Sequence, residues 1–285
     1  MNENLFKNRA AAYISPGVFA GCPLDANGIP ELSAFNFSTL KKDGTIVNFG
    51  KRRTGKSVMT RHQCSMLQDV FPRGIVISVT EELNGWYREF IPERFIHNEM
   101  NDKLIHDLLE FQKEVIKDPD YAEMKAEDED FSRVFIIFDD VISDENQIRY
   151  SKPLQKIFIA GRHFDCLSIF NTQYPKAIPP SMRDNVDYFF LFKSMSGPTK
   201  EFLWKLAGDT LPKNLFYALW DKYSQDHNVL VFDNTDSQEE ALHKKFFYAK
   251  ADINLPPFRM GDDAFWEEEQ GDEIAQGFKD NFGQA

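Results

Sequence analysis

The sequence contains few features of a secreted or membrane-bound protein. No apolar run approaches the roughly 20 residues that a membrane-spanning helix needs, and the first residues lack the basic and then apolar pattern of a secretory signal. The three cysteines and six histidines are scattered, without the spacing of a disulfide framework or a metal site. We therefore expect a soluble intracellular protein with no membrane span, in which Cys64 and Cys166 are small core residues.

An excess of basic charge is also absent. The formal net charge of −12 argues against a protein that coats nucleic acid over its whole surface, although it permits a local basic strip. Much of the acidic charge lies in residues 118–130 and in the tail from residue 262 onward. Both segments are predicted to be solvated or disordered.

Apolar runs alternate with helical patterns along most of the chain. The runs predicted as buried strands are residues 45–49, 74–79, 134–138, 167–171, 188–192 and 228–232. The patterns predicted as helices are residues 57–70, 101–117, 150–161, 200–206 and 212–223. This order predicts an α/β fold, with a mainly parallel sheet covered by helices on both faces. We expect one core over residues 44–255, an irregular N-terminal extension over residues 1–43 and an acidic C-terminal tail over residues 256–285.

The most specific motif lies between the first strand and the first helix. Residues 50–57 read Gly-Lys-Arg-Arg-Thr-Gly-Lys-Ser and match the phosphate-binding loop pattern G-x-x-x-x-G-K-[ST]. Its glycines let backbone N–H groups surround phosphate oxygens, and the following helix adds the positive end of its dipole. We expect Lys56 to neutralise the β/γ oxygens of ATP and the Ser57 hydroxyl to bind Mg²⁺. The predicted nucleotide-binding residues are Gly50, Lys51, Arg52, Arg53, Thr54, Gly55, Lys56, Ser57 and Val58.

Polar side chains at the ends of two later strands complete the predicted site. Asp139 and Asp140 follow the apolar run at 134–138, and Gln173 follows the next strand. We expect Asp139 to hold Mg²⁺, directly or through water, and Asp140 to polarise the water that attacks the γ-phosphate. Capping of the next segment is the alternative role for Asp140. A carboxamide both donates and accepts hydrogen bonds, so Gln173 can sense the γ-phosphate or orient that water.

A series of motifs further along the chain resembles, in its order, that of a known protein family. It consists of Ala-Gly-Arg-His at 160–163, the strand that ends in Thr-Gln at 172–173, Ile-Pro-Pro-Ser-Met-Arg-Asp-Asn at 178–185 and the apolar run at 188–192. Together with the phosphate-binding loop and the Asp pair, this series resembles the FtsK–HerA superfamily of DNA-pumping ATPases. Within it, the sequence is most similar to the poxvirus-type genome-packaging ATPases of large DNA viruses, over residues 45–192.

The resemblance implies a RecA/FtsK-like P-loop NTPase that moves double-stranded DNA into a preformed capsid. It further implies a capsid or portal-vertex partner, and a location at the virus assembly site in the host cytoplasm and in the virion. Such ATPases commonly form hexameric rings with each ATP at a subunit interface, where a neighbour's arginine stabilises charge at the γ-phosphate. The arginines in the corresponding motifs are Arg183, the first candidate for this role, and Arg162, the second. Many superfamily members carry Asp-Glu where this chain has Asp139-Asp140, so the proposed base has a side chain that is shorter by one methylene group.

Other functions remain open at this point. A nucleotide-switched P-loop protein with slow turnover could act as an assembly factor, although Gln173 and Arg183 argue against it. A conjugation-type DNA translocase usually carries membrane segments or larger accessory domains, and a small-molecule kinase needs a lid that is not evident. No basic stripe marks a DNA-binding surface, and Lys193 and Lys200 are weak candidates. The acidic tail is predicted to be solvated, with docking on a basic vertex protein as the alternative.

Overall fold

The first strand is central to the sheet because its residues are buried on both faces. All five residues of Thr45–Phe49 are buried, and parallel strands pair with it on either side. The computed structural model describes residues 22–118, 133–142, 145–174, 176, 178–194, 196–206, 211–236, 241 and 244–266. Within this part of the chain, one sheet of eight strands forms the core.

Helices cover both faces of this sheet. The strands are β1 (Thr45–Phe49), β2 (Arg73–Ser78), β3 (Ile96–His97), β4 (Val134–Asp139), β5 (Cys166–Thr172), β6 (Tyr188–Leu191), β7 (Asn228–Asp233) and β8 (Phe246–Lys250). The helices are α1 (Lys56–Ser65), α2 (Glu81–Asn84), α3 (Asp102–Lys117), α4 (Glu145–Tyr150), α5 (Lys152–Ala160), α6 (Pro180–Arg183), α7 (Gly197–Leu206) and α8 (Lys213–Tyr223). Among the helices in the described ranges, none is long and apolar enough to cross a membrane.

The strand order places the carboxyl ends of the parallel strands on one edge of the sheet. The order is β3-β2-β4-β5-β1-β6-β7-β8, with every pair from β3 to β6 parallel and the pairs β6–β7 and β7–β8 antiparallel. The predicted mainly parallel α/β fold is therefore confirmed. Ligands of such sheets bind outside the carboxyl ends of the strands, and the loop after β1 lies at that edge.

Several predicted elements differ in extent from the observed ones. The first helix ends at Ser65 rather than near residue 70, and Met66 is 44% exposed, so it does not share the buried face of Met59. The helix predicted over 150–161 is observed as α5 (Lys152–Ala160), and a separate short helix, α4, ends directly before it at Tyr150. The Ser151 hydroxyl accepts a hydrogen bond from the Leu154 N–H (3.2 Å) and so caps the start of α5. Strand β8, absent from the predicted elements, pairs with β7 beyond the strand that was expected to be the last.

The predicted boundaries of the core also differ from the observed packing. Residues 32–40 contribute Leu32, Phe35 and Leu40 to the core, and the Phe35 N–H donates to the Tyr248 carbonyl of β8 (2.8 Å). After β8, the chain to residue 266 also packs on the core, since Phe258, Met260 and Phe265 are buried. Apolar side chains in short irregular segments show no helical or strand periodicity. The sequence therefore predicted these residues to lie in the N-terminal extension and the C-terminal tail rather than in the core. Residues 1–21, most of the acidic segment at 118–130 and the tail after residue 266 lie outside the described residues.

Candidate active site

The loop between β1 and α1 has the backbone shape of a phosphate-binding loop. The Gly50 N–H donates to the Thr172 carbonyl at the end of β5 (3.1 Å), which fixes the start of the loop. A Cβ on Gly50 would lie 2.5 Å from Thr54 Oγ1 and 2.7 Å from Phe192 Cβ, so the close packing excludes a side chain. Gly55 has φ of +99°, a conformation that glycine adopts without strain, and it begins α1. The first N–H groups of a helix have no partner within that helix, so those of α1 are suited to bind phosphate oxygens.

The Lys56 ammonium is buried among oxygen atoms of the loop. Its Nζ donates to the carbonyls of Gly50 (3.1 Å) and Lys51 (3.3 Å), and it lies 3.4 Å from Asp140 Oδ1. The residue is only 6% exposed. The two carbonyls use two of the three ammonium donors, and the contact with Asp140 is an ion pair without a hydrogen bond. This arrangement holds the positive charge at the mouth of the loop, where phosphate oxygens of a nucleotide would bind.

Asp139, the last residue of β4, lies next to the loop serine. The Ser57 hydroxyl donates to Asp139 Oδ2 (3.3 Å), and Asn171 Nδ2 donates to Asp139 Oδ1 (2.9 Å). Burial raises the pKa of the Asp139 carboxyl above its ordinary value, and the nearby Asp140 charge adds to this rise. The hydrogen bond from Asn171 opposes this rise. A cation beside this carboxylate would favour the charged form for the same electrostatic reason.

The donor atoms fit Mg²⁺ bound together with a nucleotide. The Ser57 hydroxyl and the Asp139 carboxylate are hard oxygen ligands, and Mg²⁺ usually takes one or two carboxylates plus substrate phosphates and water. Within the described residues, no group of three His, Cys, Asp or Glu side chains could hold a metal by itself. A Mg²⁺ ion at this position would therefore take the rest of its ligands from phosphate oxygens and water.

Asp140 changes the direction of the chain at the end of β4. Its φ is +53°, an unusual conformation for a residue with a side chain, and its N–H donates to the Asn171 carbonyl (3.0 Å). Asp139 and Asp140 both line the same cleft as a result, although side chains of successive strand residues point to opposite faces. The two predicted carboxylates are thus brought together beside Lys56.

The cleft between these residues is large enough for a nucleoside triphosphate, with a volume of about 890 Å³. One wall comes from the loop and α1, and the other from the segment that follows β2. The lining residues are Arg52, Arg53, Gly55, Lys56, Ser57, Val58, Val79, Thr80, Leu83, Asn84, Trp86, Asp139 and Asp140. The wall at residues 79–86 was not predicted from the sequence, where the only available signal was its position directly after an apolar run.

Gln173 directly follows β5 and is half-buried, as expected for a residue at this edge of the sheet. It is not one of the described residues that line the cleft. Two strands flank β5 here, β4 with the Asp pair and β1 with the loop, so Gln173 lies between the two halves of the site. Its contact with a nucleotide stays a prediction.

Both candidate arginines lie at the other edge of the sheet. Arg162 precedes β5 and is exposed at a second cavity of about 240 Å³, which Asp184 and Asp187 also line. Arg183, at the end of α6, precedes β6; its Nε donates to the Ile178 carbonyl (3.1 Å), and its guanidinium lies 4.4 Å from the Phe202 ring. β1 has five residues, and at about 3.3 Å per residue it separates the two edges by roughly 13 Å.

The two lysines considered for DNA contact make contacts within the chain. Lys193 Nζ donates to Gln225 Oε1 (2.5 Å). Lys200 pairs with Asp221, and its side chain is only 14% exposed. Its position makes Lys200 a poor candidate for contact with a phosphate backbone.

Comparison with known proteins gives matches in large DNA viruses. The sequence profile of the family described as Poxvirus A32 protein matches residues 33–207. Uncharacterized protein 075L of Invertebrate iridescent virus 6 is 30% identical over 229 residues, which cover 80% of this chain and 84% of that protein. Uncharacterized protein L437 of Acanthamoeba polyphaga mimivirus is 27% identical over 223 residues and covers 78% of each chain.

Solved structures with similar folds include two nucleotide complexes. The pCW3 conjugation coupling protein TcpA, in its monomer form with ATPγS, aligns with a TM-score of 0.50 and 13% identity, covering 89% of this chain and 74% of that chain. The genome packaging NTPase B204 from Sulfolobus turreted icosahedral virus 2, in complex with ATPγS, aligns with a TM-score of 0.46 and 14% identity, covering 74% of this chain and 98% of that chain. At 13% identity, the likeness to TcpA concerns the fold alone.

Proposed function

This chain belongs to the Poxvirus A32 protein family, and from that premise we propose that it is an ATP-driven translocase that packages double-stranded viral DNA into a preformed capsid. The family match confirms the resemblance found from the motifs. The observation that carries the proposal is the cleft itself, in which Lys56, Ser57, Asp139 and Asp140 converge. Their chemistry is that of phosphoryl transfer to water.

Each polar residue of the cleft has a separate proposed role in ATP hydrolysis. Backbone N–H groups of the loop and Lys56 bind the β- and γ-phosphates, and Ser57 and Asp139 would hold Mg²⁺. When bound between them, Mg²⁺ would supply positive charge next to the phosphate oxygens. Asp140, beside Lys56, polarises the attacking water, and Gln173 orients it or senses the γ-phosphate.

The positions of the arginines support hydrolysis between subunits of a ring. Arg162 and Arg183 lie across the sheet from the cleft of their own chain, so they can stabilise charge only in the cleft of a neighbouring copy. Such a head-to-tail contact uses different surfaces on its two sides and closes into a ring, for which we propose six subunits. Arg162 is already exposed, whereas Arg183 would have to leave the Phe202 ring. Arg183 remains the first candidate by its motif.

DNA and a capsid or portal-vertex protein are the proposed partners. A conjugation-type translocase is the alternative, but the relatives in iridescent viruses and a mimivirus favour packaging. A slow nucleotide switch is a further candidate, because the pairing of Asp140 with Lys56 occupies the proposed base. Binding of a γ-phosphate beside Lys56 would compete with that pair and free Asp140.

The test is the ATPase rate of the purified protein with and without double-stranded DNA. We expect DNA to stimulate turnover in the wild type, and Arg183→Ala or Arg162→Ala to lower it by a factor of about 10³ or more. Arg94→Ala is the matched control, because Arg94 also precedes a strand at this edge and lies over a phenylalanine ring (Phe265, 5.9 Å). An ATPase rate that changes neither with DNA nor with either arginine substitution would contradict the translocase. It would favour the slow nucleotide switch instead.

A further inference from the structure

A row of polar side chains crosses the sheet beneath the nucleotide cleft. The strand register places Asn48 of β1 opposite Asn171 of β5, and Asn171 opposite Asp139 of β4. All three residues are almost completely buried, with exposures of 0%, 1% and 6%. Buried polar groups destabilise a fold unless they are hydrogen-bonded, so the row needs a specific set of partners.

Asn171 is the centre of this row, and its side chain makes contacts in every direction. Its Nδ2 donates to Asp139 Oδ1 (2.9 Å) and to the Tyr87 hydroxyl (3.3 Å). Its Oδ1 accepts from Asn48 Nδ2 (2.9 Å) and from Thr60 Oγ1 (2.9 Å). A carboxylate only accepts hydrogen bonds, so the NH₂ group must face Asp139 and the amide has one orientation. The two donors and two acceptor positions of the carboxamide are all used.

Two partners of Asn171, Asn48 of β1 and Thr60 of α1, connect it to the helix that follows the phosphate-binding loop. Asn48 and Gln63 of α1 bond reciprocally, through Asn48 Nδ2 to Gln63 Oε1 (2.9 Å) and Gln63 Nε2 to Asn48 Oδ1 (3.0 Å). Thr60 Oγ1 also lies 3.2 Å from the carbonyl of Lys56. The network therefore joins the helix that carries Lys56 and Ser57 to the strand that carries Asp139.

From this geometry we propose that Asn171 is the positioning residue for the metal-binding carboxylate Asp139, and that the Tyr87 hydroxyl helps to orient Asn171 by accepting its second N–H (3.3 Å). By holding Oδ1, Asn171 leaves Oδ2, which is 3.3 Å from Ser57 Oγ, as the oxygen that faces Mg²⁺. The link through Thr60 to α1 keeps this oxygen and the Ser57 hydroxyl at a constant separation. The inference rests on the proposed binding of Mg²⁺ with nucleotide.

Tyr87 extends the same network to the outer wall of the cleft. Its ring is completely buried, and its hydroxyl accepts a hydrogen bond from Asn171 Nδ2 (3.3 Å). The backbone N–H groups of Tyr87 and Arg88 donate to Glu81 Oε1 (2.8 and 3.1 Å), which secures the segment after α2. Asn171 thus connects the Asp139 carboxylate to this wall of the cleft as well as to α1.

The test is the calorimetric affinity for ADP, measured in MgCl₂ and in EDTA. We expect Asn171→Asp and Asn171→Leu to bind ADP in EDTA as the wild type does, but to lose about 10- to 100-fold of the affinity that Mg²⁺ adds. Binding of Mn²⁺ to the ADP complex, followed by electron paramagnetic resonance, should weaken in parallel. Tyr87→Phe should lose less of the affinity for ADP that Mg²⁺ adds. This variant tests the same network if the Asn171 variants do not fold.

Tyr188→Phe is the control for the tyrosine change. Tyr188 is equally buried, at 2%, but its hydroxyl donates to the Thr39 carbonyl (3.2 Å), away from the cleft. It should leave the effect of Mg²⁺ unchanged. Folded variants of Asn171 and Tyr87 that keep the full Mg²⁺ effect would overturn the inference while leaving the proposed function intact. A wild type in which Mg²⁺ adds no affinity would overturn the proposed metal site together with the inference.

Discussion

Gly50→Ala tests whether the phosphate-binding loop is held by close packing against β6. The added Cβ would lie 2.5 Å from Thr54 Oγ1 and 2.7 Å from Phe192 Cβ. The Thr54 hydroxyl can rotate away, but Phe192 Cβ is attached to the backbone just after β6. The loop itself must therefore move away from the sheet.

The size of the effect follows from this second contact. Forcing an extra methyl group into a packed site usually costs about 1–3 kcal/mol, and we expect the free energy of unfolding to fall by this amount. Displacing a catalytic group by about 1 Å can reduce turnover on the order of 100-fold, so the ATPase rate should fall more steeply than the stability. Adding Thr54→Ala should not restore either quantity, because the contact with Phe192 remains.

Urea unfolding and the ATPase rate measure the two effects, and Gly197→Ala is the matched control. Gly197 begins α7, and a Cβ there would meet nothing within 4 Å. Its replacement should be neutral or stabilise the protein by up to about 1 kcal/mol. If Gly50→Ala behaved like Gly197→Ala in both assays, the close packing of the loop would be refuted.

Two further predictions concern stability and reactivity. Ser151→Ala removes the hydroxyl that caps α5 and that donates to Asp102 Oδ1 (2.7 Å), so urea unfolding should show a loss of about 1–2 kcal/mol; an unchanged midpoint would contradict the capping role. Burial raises the pKa of the Cys64 and Cys166 thiols, so in the native protein at pH 8 a thiol reagent should label Cys22, which is partly exposed, and reach the other two only after unfolding. Rapid labelling of all three in the native state would contradict the burial of the core cysteines.

The sequence was sufficient for the central strands and for the phosphate-binding loop. Continuous apolar runs such as residues 134–138 are typical of buried parallel strands, and the loop motif depends only on local spacing. It was insufficient for β8 and for the segment that contains Phe258 and Met260. These residues are buried because the C-terminal part of the chain packs back against the sheet. A contact between segments that are distant in sequence produces no local periodicity from which it could be predicted.

The site was predicted only in its motif residues. Asn48 and Asn171 are unremarkable in the sequence, because their importance depends on strand order and register, which bring them into line with Asp139. The cleft wall at residues 79–86 depends in the same way on β2 lying beside β4. Strand order follows from the packing of the whole chain, so single-sequence patterns could not supply these neighbours.

The central claim is that ATP is hydrolysed between copies of the chain, and coexpression of two inactive variants tests it most directly. Lys56→Ala disables the cleft but keeps both arginines. Arg183→Ala keeps the cleft intact but removes the proposed arginine, and Arg162→Ala takes its place if Arg162 is the residue that the ATPase rates show to be required. In rings that mix the two variants equally, about a quarter of the interfaces pair an intact cleft with an intact arginine. The account predicts that DNA-stimulated ATPase activity reappears in the mixture at up to about that fraction of the wild-type rate. A mixture that hydrolyses no more ATP than either variant alone, although both variants assemble together, would contradict it.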